Sequence, residues 1–534
     1  MRLLVYIVAF FSVVRPLLQS QAVDDFEQNR RLGRGVNIIG YDPLWNNRDQ
    51  ARFQEKYFLM LKDAGFNSVR INLHPFRHMD AGREFALSNS WWDTLDWAVR
   101  GATNQHLLAI LDLHEFGAMG DDPVANQDKF LAFWRQVAPR YKNASDAVLF
   151  EILNEPSRKL TPELWNEYLN QALAIIRQSN PNRTVIVGPG FWNSIDHLKE
   201  LELPDTDTNL IVTVHYYQPM SFTHQGAAWT NQKDKTGVTW EGTAAERQKV
   251  QNDFAKVTAW AGAHRRPVFL GEFGAYDRAP MDSRARYTDA VARAAEANGW
   301  SWAYWQFDND FILFDVAHEC WVEPILHALI PPAYQGKPFA DSIHKSGPPN
   351  IPGIVQCALY DLGGEGVAYH DSDAINNGSG KLNLDPKHQR THASPYLWQF
   401  RKDEGVDVSF VKDWADLNHT NLVSPPINQL YIGWTEDGEW CNYTVNVLKP
   451  GAYRIRCLYS YKPNDVRFDV NGVPAATCRL PLETASFHHW NLADIGTIQF
   501  PKTGLNVLTF HYGKGNNFAW FEFEPAEAVD DHHP

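Results

Sequence analysis

Two glutamates, each placed just after a short apolar run, are the residues of this 534-residue chain whose surroundings most suggest chemistry. The run at residues 148–153 leads into Glu155, and the run at residues 267–270 leads into Glu272. Short apolar runs bounded by a proline or glycine are typical of buried strands in a parallel sheet. The carboxyl ends of such strands are where α/β sheets collect catalytic groups. Two strand-end carboxylates in one chain therefore suggest paired carboxylate chemistry.

Paired carboxyl groups can cleave a glycosidic bond when one stays protonated near neutral pH and the other stays ionised. The protonated group donates to the leaving oxygen, and the ionised group attacks the anomeric carbon. Either glutamate alone is equally well explained by a solvated charge or an ion pair. Their occurrence together, with Asn154 beside Glu155, favours catalysis.

Other polar side chains end the predicted strands and extend this group. They are Arg70, Asp112, His114, Asn154, His215, Tyr217 and Trp305. A guanidinium beside a carboxylate stabilises its charged form and lowers its pKa. A less polar setting or a nearby like charge, in contrast, keeps a carboxyl group protonated.

The histidines and the tryptophan of this group allow more than one interpretation. His114 and His215 are core residues, a metal pair or substrate contacts. Because no third ligand lies nearby in the sequence, we expect substrate contacts and no metal site. Trp305 either closes the barrel floor or forms a stacking platform for a sugar, and its place after the last strand favours the platform.

Eight predicted strands would position these side chains. They span residues 34–40, 67–73, 107–114, 148–154, 184–188, 210–217, 268–272 and 300–307. Helical segments separate them, as at residues 53–64, where apolar residues recur at helical spacing. Strands and helices that alternate over roughly 300 residues predict a (β/α)8 barrel. A doubly wound open sheet is the alternative, but neither a Gly-rich phosphate turn nor a Walker-type lysine loop is present, so we expect no nucleotide cofactor.

The length of the chain predicts two domains. The predicted organisation is a signal peptide at residues 1–22, a catalytic barrel domain at 23–345, a Pro/Gly-rich linker at 346–352, a β-sandwich domain at 353–526 and a tail at 527–534. Short alternating runs separated by Asn-Gly, Pro-Gly and Thr-Gly turns predict the sandwich. An apolar N-terminal run that Arg15 and Pro16 interrupt favours a cleaved signal over a membrane anchor.

The composition excludes some classes of partner. With 49 Lys and Arg against 63 Asp and Glu, the formal net charge is −14, and no basic run occurs, so we expect no nucleic-acid or membrane partner. The 20 tryptophans suit either stacking on sugar rings or large cores. The five cysteines are compatible with an oxidising compartment and are expected to be structural. We therefore expect an exported, extracellular or periplasmic monomer.

The barrel region resembles glycoside hydrolase family 5, the cellulase and mannanase family of retaining barrel enzymes, over about residues 30–335. The resemblance rests on Leu153-Asn154-Glu155-Pro156, Gly271-Glu272-Phe273-Gly274, Arg70, His114, His215-Tyr216-Tyr217 and Trp305, in the expected order. It implies that Glu155 is the acid/base and Glu272 the nucleophile, with carboxyl groups about 5 Å apart. It also implies that Asn154 binds the sugar 2-hydroxyl. Arg70 and Tyr217 would hold Glu272 ionised and aimed, with a lowered pKa, whereas Glu155 would need a less polar setting or a like charge to keep its proton.

The second domain resembles carbohydrate-binding modules of families 6 and 35, through segments at residues 366–371, 405–408 and 438–445. The resemblance implies a structural calcium ion held by acidic residues of the first and last strands. Those places, at residues 355–359 and 517–520, carry no carboxylate, so we expect no cofactor, with calcium as the alternative. The candidates for stacking on sugar are Phe487 and Trp490. Core packing of these rings, or a loss of binding, is the alternative.

These observations predict a secreted, retaining, endo-acting glycoside hydrolase that cleaves the polysaccharide β-1,4-glucan. A β-mannan or another β-glucan is the alternative substrate. A catalytically silent carbohydrate-binding protein on a barrel scaffold is the alternative of a different class, and the presence of Glu155, Glu272 and Arg70 together argues against it. A transglycosylase would share all of these residues.

Overall fold

Residues 24–386, 394–418 and 420–526 are described by the computed structural model of the protein. The predicted signal peptide at residues 1–22 and the predicted tail at residues 527–534 lie outside this range. Within the described part of the chain, no helix combines the length and the apolarity that are needed to cross a bilayer.

The chain divides into two compact units between Pro332 and Ala333. This division lies N-terminal to residues 346–352, the Pro/Gly-rich segment that we predict as the linker. Residues just after the division already bond within the second unit, since the Tyr334 hydroxyl donates to Asp361 at 2.8 Å. The stretch that precedes the Pro/Gly-rich segment therefore belongs to the second unit.

The first unit contains a closed barrel of eight parallel strands, as the sequence predicts. In chain order, β1 to β8 are Arg34–Ile38, Ser68–Leu73, Leu108–Leu113, Val148–Glu151, Val185–Val187, Leu210–Tyr216, Val268–Phe273 and Ser301–Tyr304. Around the barrel the order is β1-β8-β7-β6-β5-β4-β3-β2, so each strand lies beside the next one in the chain. All eight carboxyl ends therefore meet at one face.

The longer helices of the first unit surround this barrel. They are α1 to α8, at Asp25–Leu32, Lys56–Ala64, Asn89–Asn104, Pro123–Arg140, Pro162–Ser179, Ala244–His264, Met281–Ala297 and Glu323–Leu329. Some begin at clear sequence signals: the Thr161 side chain caps α5 ahead of Pro162, and Thr243 forms a capping box with Glu246 on α6. Most of their buried apolar residues share one large core cluster with the strands, whereas Leu32 of α1 lies in a small separate cluster.

Inside the barrel, an apolar layer supports a polar one. Leu149 and Glu151 lie on the same face of β4, because side chains alternate along a strand. Leu149 belongs to a small buried cluster with Ile110, Ile186 and Phe269. Glu151 lies one step nearer the carboxyl end of the strand and is also fully buried. The polar side chains of the barrel thus rest on a packed apolar floor.

The second unit is an all-β sandwich, as predicted. Its strands, β9 to β20, are Asn350–Ile351, Gly353–Gln356, Tyr369–His370, Val408–Phe410, Leu430–Ile432, Trp440–Val447, Gly451–Tyr461, Asp465–Val470, Val473–Arg479, Trp490–Phe500, Gly504–His511 and Asn516–Pro525. One sheet has the order β9-β14-β19-β16-β17, with β11 beside β14. The other has the order β12-β13-β20-β15-β18, with β10 beside β20. Apolar residues of both sheets form a core cluster of their own.

All five cysteines lie in the described ranges, and each is a free thiol. Cys320 is exposed in the first unit. Cys357, Cys441, Cys457 and Cys478 are buried in the second unit and belong to its core cluster. For these four residues, the structural role is packing.

Candidate active site

The polar side chains predicted at the strand ends converge at the carboxyl face of the barrel. Arg70, His215 and Glu272 lie within β2, β6 and β7, while His114, Tyr217 and Trp305 directly follow β3, β6 and β8, and Asn154 and Glu155 lie in the turn after β4. All eight join one connected group of hydrogen bonds and ring contacts. We name this group the catalytic cup.

Glu272 is held through both of its carboxylate oxygens. Arg70 donates from one terminal nitrogen to Oε1 at 2.9 Å, and the Tyr217 hydroxyl donates to Oε2 at 3.0 Å. Glu272 and Arg70 are both buried. The structure thus brings together the three residues that the family resemblance associates, and their hydrogen bonds fix the orientation of the carboxylate.

Arg70 uses all five of its N–H groups. Its pair with Glu151 is bidentate, with Nε to Oε2 and one terminal nitrogen to Oε1 both at 2.7 Å. The terminal nitrogens also reach Oδ1 of Asn37 at 2.9 Å and Oδ1 of Asn154 at 2.8 Å, in addition to Glu272. Every hydrogen that the guanidinium can donate therefore has an acceptor.

Glu155 stands in the turn after β4 with a left-handed backbone, at φ 44°. Non-glycine residues in this region are uncommon and cluster at functional sites. One oxygen of Glu155 lies 2.8 Å from Nδ1 of His215, and Nε2 of His215 lies 3.2 Å from the amide nitrogen of Asn193. An amide nitrogen can only donate, so in this arrangement Nδ1 carries the proton of the ring and donates to Glu155.

The two carboxylates face each other beside His215. Single oxygen or nitrogen atoms of Glu155, His215 and Glu272 all lie within 4.8 Å of one another, and Nδ1 of His215 is 3.5 Å from Oε2 of Glu272. Among residues 24–386, 394–418 and 420–526, only this group brings three metal-ligating side chains so close. Both oxygens of Glu272 already accept hydrogen bonds, from Arg70 and Tyr217. We therefore describe this group as a pair of carboxyl groups with a neighbouring imidazole.

Burial raises the pKa of both carboxyl groups. It raises the pKa of Glu155 to about 8, with the charge of Arg70 opposing the rise. It raises the pKa of Glu272 to about 7, although the charge of Arg70 opposes that rise. The lowered pKa that we expected for Glu272 is therefore wrong, because the loss of solvent outweighs its guanidinium partner. For Glu155, the raised pKa is in the direction that we expect.

The groups around Arg70 show two opposite trends. Burial raises the pKa of Asp112 and Glu151, and it lowers the pKa of His114 and His215, so both imidazoles are neutral at pH 7. Burial alone would lower the pKa of Arg70, but the adjacent carboxylates raise it well above its usual value. Both oxygens of Glu151 accept from Arg70, which favours the ionised form of Glu151 and opposes the effect of burial.

One wall of the catalytic cup is aromatic. His114 and Trp305 stack, with ring centroids 5.4 Å apart and planes 9° apart. His114 bonds Asp112 at 2.6 Å through Nδ1, and its Nε2 lies 3.3 Å from the amide nitrogen of Asn154. Tyr41 stands edge-on to both stacked rings and is exposed. Trp305 itself is mostly buried, so only a small part of its ring is exposed to solvent.

An open cleft of about 570 Å³ begins at Tyr41 and is lined also by His74, Phe76, Arg77 and Lys129. The ring of His74 lies 5.0 Å from that of Tyr41, so the cleft adjoins the aromatic wall. Its volume is within the range of ligand-binding pockets. Aromatic faces beside hydrogen-bonding side chains are suited to a sugar ring.

Four residues of the site escaped the sequence prediction: Asn37, Tyr41, Glu151 and Asn193. Glu151 carried a signal, since it is a charged residue inside an otherwise apolar run at residues 148–153. Asn37 lies in β1 and shares Arg70 with Glu151. Asn193 had no such signal, because its position depends on a short left-handed turn after β5.

In the second unit, the structure separates the two stacking candidates. The side chain of Phe487 is 42% exposed and lies against Tyr461, with ring centroids 4.3 Å apart. Trp490 is fully buried, and its indole N–H donates to the buried carboxylate of Asp416 at 3.0 Å. The expectation that Trp490 stacks on a sugar is wrong, because this ring packs in a core cluster with Tyr431.

The strand positions implied for calcium lie opposite one another but carry no carboxylate. Gln356 of β10 pairs with Trp520 of β20, and Val355 pairs with Phe521. Calcium takes six to eight oxygen ligands, with carboxylates prominent among them. The residues at this place therefore do not fit the ion, and we assign it no role.

Two family models match the chain. The model described as "Cellulase (glycosyl hydrolase family 5)" matches residues 30–311, and the model described as "Carbohydrate binding module (family 35)" matches residues 423–523. The first range contains every residue of the catalytic cup. The second range contains Phe487 and most strands of the sandwich.

Individual relatives agree with the first match. Endoglucanase H of Acetivibrio thermocellus is 31% identical over 328 residues, which are 59% of this chain and 35% of that protein. The crystal structure of endoglucanase Cel5A from Thermotoga maritima is 37% identical, with a TM-score of 0.55 over 58% of this chain and 100% of that one. A structure of the same Cel5A with mannotriose is 36% identical, with a TM-score of 0.55 over 57% of this chain and 100% of that one. The chain spans between 34% and 50% of the length of three curated relatives that it matches.

Proposed function

Because the chain belongs to glycosyl hydrolase family 5, we propose that it cleaves internal β-1,4 bonds of glucan by a double displacement that retains the anomeric configuration. The observation that carries the proposal is the carboxylate pair, since Glu155 and Glu272 present oxygens within 4.8 Å of each other. Retaining enzymes place their carboxyl groups about 5 Å apart, whereas inverting enzymes leave about 6.5–9.5 Å for a water molecule. The short separation supports the retaining mechanism.

In the first step, we assign the attack on the anomeric carbon to Glu272. Its carboxylate forms a bond to that carbon as the bond to the leaving oxygen breaks, and Glu155 gives its proton to that oxygen. The hydrogen bonds support these roles, because Glu272 accepts from Arg70 and Tyr217, which favours its ionised form, while burial raises the pKa of Glu155 to about 8. Arg70 and Tyr217 hold the attacking carboxylate in one orientation.

In the second step, water replaces the enzyme on the sugar. Glu155, now ionised, takes a proton from the water, whose oxygen bonds to the anomeric carbon as the bond to Glu272 breaks. His215 donates to Glu155 from Nδ1, so it stabilises the carboxylate form that this step requires. Asn154, which Arg70 and His114 hold in place, is the residue that we assign to the sugar 2-hydroxyl.

Glucan is the first substrate of the proposal, and mannan is the second. The family description and Endoglucanase H support glucan. Mannan is supported by one observation, the similarity to a Thermotoga maritima Cel5A structure with mannotriose. The two sugars differ in the configuration of the 2-hydroxyl, which is the group assigned to Asn154. The contact with Asn154 therefore either accepts both configurations or selects one of them.

We assign polysaccharide binding in the second unit to the exposed face of Phe487. Its ring packs on Tyr461, which leaves the other side open, and its backbone carbonyl accepts from the amide of Asn517 at 2.8 Å. An exposed, fixed aromatic ring is the group that sugars stack on. The match to family 35 modules supports this assignment.

We also propose that the protein is exported and acts outside the cytoplasm. The support is the apolar N-terminal run at residues 1–22 and the polymeric substrate, which cannot cross a membrane intact. N-terminal sequencing of protein recovered from the medium or periplasm of an expressing cell should begin after the predicted cleavage region. An intact Met1 would count against export by this signal.

One assay tests the activity directly. The full chain is incubated with carboxymethylcellulose, mannan, xyloglucan and β-1,3-glucan, and reducing ends, product lengths and the anomer first formed are measured. We expect a rapid fall in the viscosity of carboxymethylcellulose and a β-anomer as first product. If none of the four is cleaved while insoluble cellulose is still bound, the silent carbohydrate-binding protein is the correct reading. Products longer than the substrate would identify a transglycosylase.

A further inference from the structure

We propose that Glu151 is a positioning residue, which holds Arg70 by a bidentate pair and so aims the remaining donors of the guanidinium at Glu272 and Asn154. The inference rests on the proposed function, because positioning these residues matters only if the carboxylate pair works on a sugar.

The geometry of the pair carries the inference. A guanidinium is planar, so two parallel bonds to one carboxylate fix both its position and the direction of its plane. Glu151 makes both of these bonds at 2.7 Å. The three N–H groups that remain then point to Asn37, Asn154 and Glu272. Without Glu151, Arg70 would keep these partners but lose the anchor that sets their angles.

Glu151 does not itself touch the reacting atoms. Its side chain is fully buried, and both of its oxygens are occupied by Arg70. It is the last residue of β4, in register with Asp112 of β3 and four residues ahead of Glu155. The strand that leads into the proposed acid/base therefore also anchors the cation that holds the proposed nucleophile. The end of β4 therefore positions Glu155 directly and Glu272 through Arg70.

Glu151 also shares the charge of Arg70 with Glu272. The other charged or titratable groups that face Glu272 are Arg70, Tyr41, Asp112, Glu155, His215 and Tyr217. If Glu151 loses its charge, Arg70 has one anionic partner fewer, and its field acts more fully on Glu272. Removal of a nearby negative charge favours the ionised form of a carboxyl group. Glu272 would then ionise at a lower pH.

Two substitutions separate the effect of the charge of Glu151 from the effect of the length of its side chain. Glu151→Gln keeps the size but removes the charge, so we expect kcat to fall about tenfold or more and the acidic limb of kcat/KM to move down by about one pH unit. Glu151→Asp keeps the charge but shortens the side chain by one methylene. Because the bidentate geometry is then lost, we expect kcat to fall while the acidic limb stays in place.

A matched pair elsewhere in the barrel serves as the control. Arg177 and Asp207 form a bidentate pair with Nε–Oδ2 at 2.7 Å and a terminal nitrogen–Oδ1 at 3.0 Å. It lies between the end of α5 and the start of β6, at the opposite face of the barrel from the catalytic cup. Asp207→Asn should change the melting temperature without moving the acidic limb or kcat.

The outcomes distinguish this inference from the proposed function. If the wild type cleaves no polysaccharide, the proposed function fails before Glu151 is tested. If the wild type is active and folded Glu151→Gln keeps the wild-type acidic limb, the charge-sharing argument is overturned. If Glu151→Gln does not fold, Glu151→Asp decides, since wild-type kcat in that variant would overturn the positioning role.

Discussion

The candidate residues of the two units differ in their exposure to solvent: those of the catalytic cup are largely buried, whereas Phe487 of the sandwich is exposed. In the catalytic cup, most of the side chains are buried, Glu155 and Tyr217 are partly buried, and the group bonds around Arg70. On the sandwich, Phe487 is exposed, while the neighbouring candidate Trp490 is fully buried. A barrel directs strand-end residues to one place by its topology, so buried polar groups there are expected. A sandwich has no such point of convergence, and exposure of a ring in a loop is what marks a candidate surface.

The largest effect should come from Glu272→Ala, which removes the group that attacks the sugar. We expect kcat on carboxymethylcellulose to fall by roughly 10⁴- to 10⁶-fold, because loss of a nucleophile leaves only binding and electrostatic contributions. Reducing-end release measures this, with melting by circular dichroism as the control for folding.

Added azide gives this variant a second readout. A small anion can occupy the space that the missing carboxylate leaves and attack the anomeric carbon, which yields a glycosyl azide of inverted configuration. Full activity of Glu272→Ala without azide would show that Glu272 is not the nucleophile. The catalytic cup would then lose its assigned role in the comparison with the sandwich.

A smaller loss is expected from Glu155→Gln. Proton donation contributes about 10²- to 10⁴-fold, so kcat on cellulose should fall within that range. Wild-type kcat/KM should rise as Glu272 ionises near pH 7 and fall as Glu155 loses its proton near pH 8. Glutamine does not titrate, so the alkaline limb should disappear in the variant.

An aryl cellobioside with an acidic leaving group provides the control for this variant. Such a group leaves without a proton, so formation of the glycosyl-enzyme should stay close to the wild-type rate. An alkaline limb that persists in Glu155→Gln would show that another group sets it.

In the sandwich, Trp490→Ala should act on stability. Replacing a fully buried tryptophan by alanine typically costs about 3–5 kcal/mol, and it also leaves Asp416 without its indole donor. Urea unfolding of the full chain should show an earlier transition for the second unit, with kcat on soluble substrate unchanged. Retained stability together with lost cellulose binding would restore Trp490 as a sugar platform.

The smallest effect is expected from Phe487→Ala. Loss of one stacking ring should weaken binding to insoluble cellulose by about tenfold and leave the melting temperature and soluble activity unchanged. Leu505→Ala, which removes an exposed apolar side chain from β19 of the other sheet, is the matched control. Equal binding by wild type and Phe487→Ala would place the binding surface elsewhere or show that the unit does not bind.

The barrel was predictable because each of its elements repeats one pattern. All eight predicted strands are present, and residues such as Arg70 and Glu272 are predictable because they lie at or near the ends of these strands. Glu151 was not predicted, because it lies inside an otherwise apolar run, four residues ahead of Glu155. The pKa of Glu272 was misjudged for a related reason, since a charge partner is visible in sequence but the depth of burial is not.

The sandwich was less predictable in detail. Its class followed from short alternating runs, but Phe487 and Trp490 are three residues apart, and nothing in the sequence separates their exposure. Trp490 begins β18 and packs against Tyr431 of β13, a strand about 60 positions earlier in the chain. Only the pairing of distant strands decides which of the two rings is buried.

The distribution of the thiols makes the two halves of the molecule separately measurable. The four buried cysteines all belong to the second unit, where burial raises the pKa of each thiol, whereas Cys320 is exposed in the first. An alkylating reagent should modify Cys320 at once and the other four only when the sandwich opens. The rate of the slow labelling phase therefore measures the opening of that unit in the intact protein, even while the barrel stays folded.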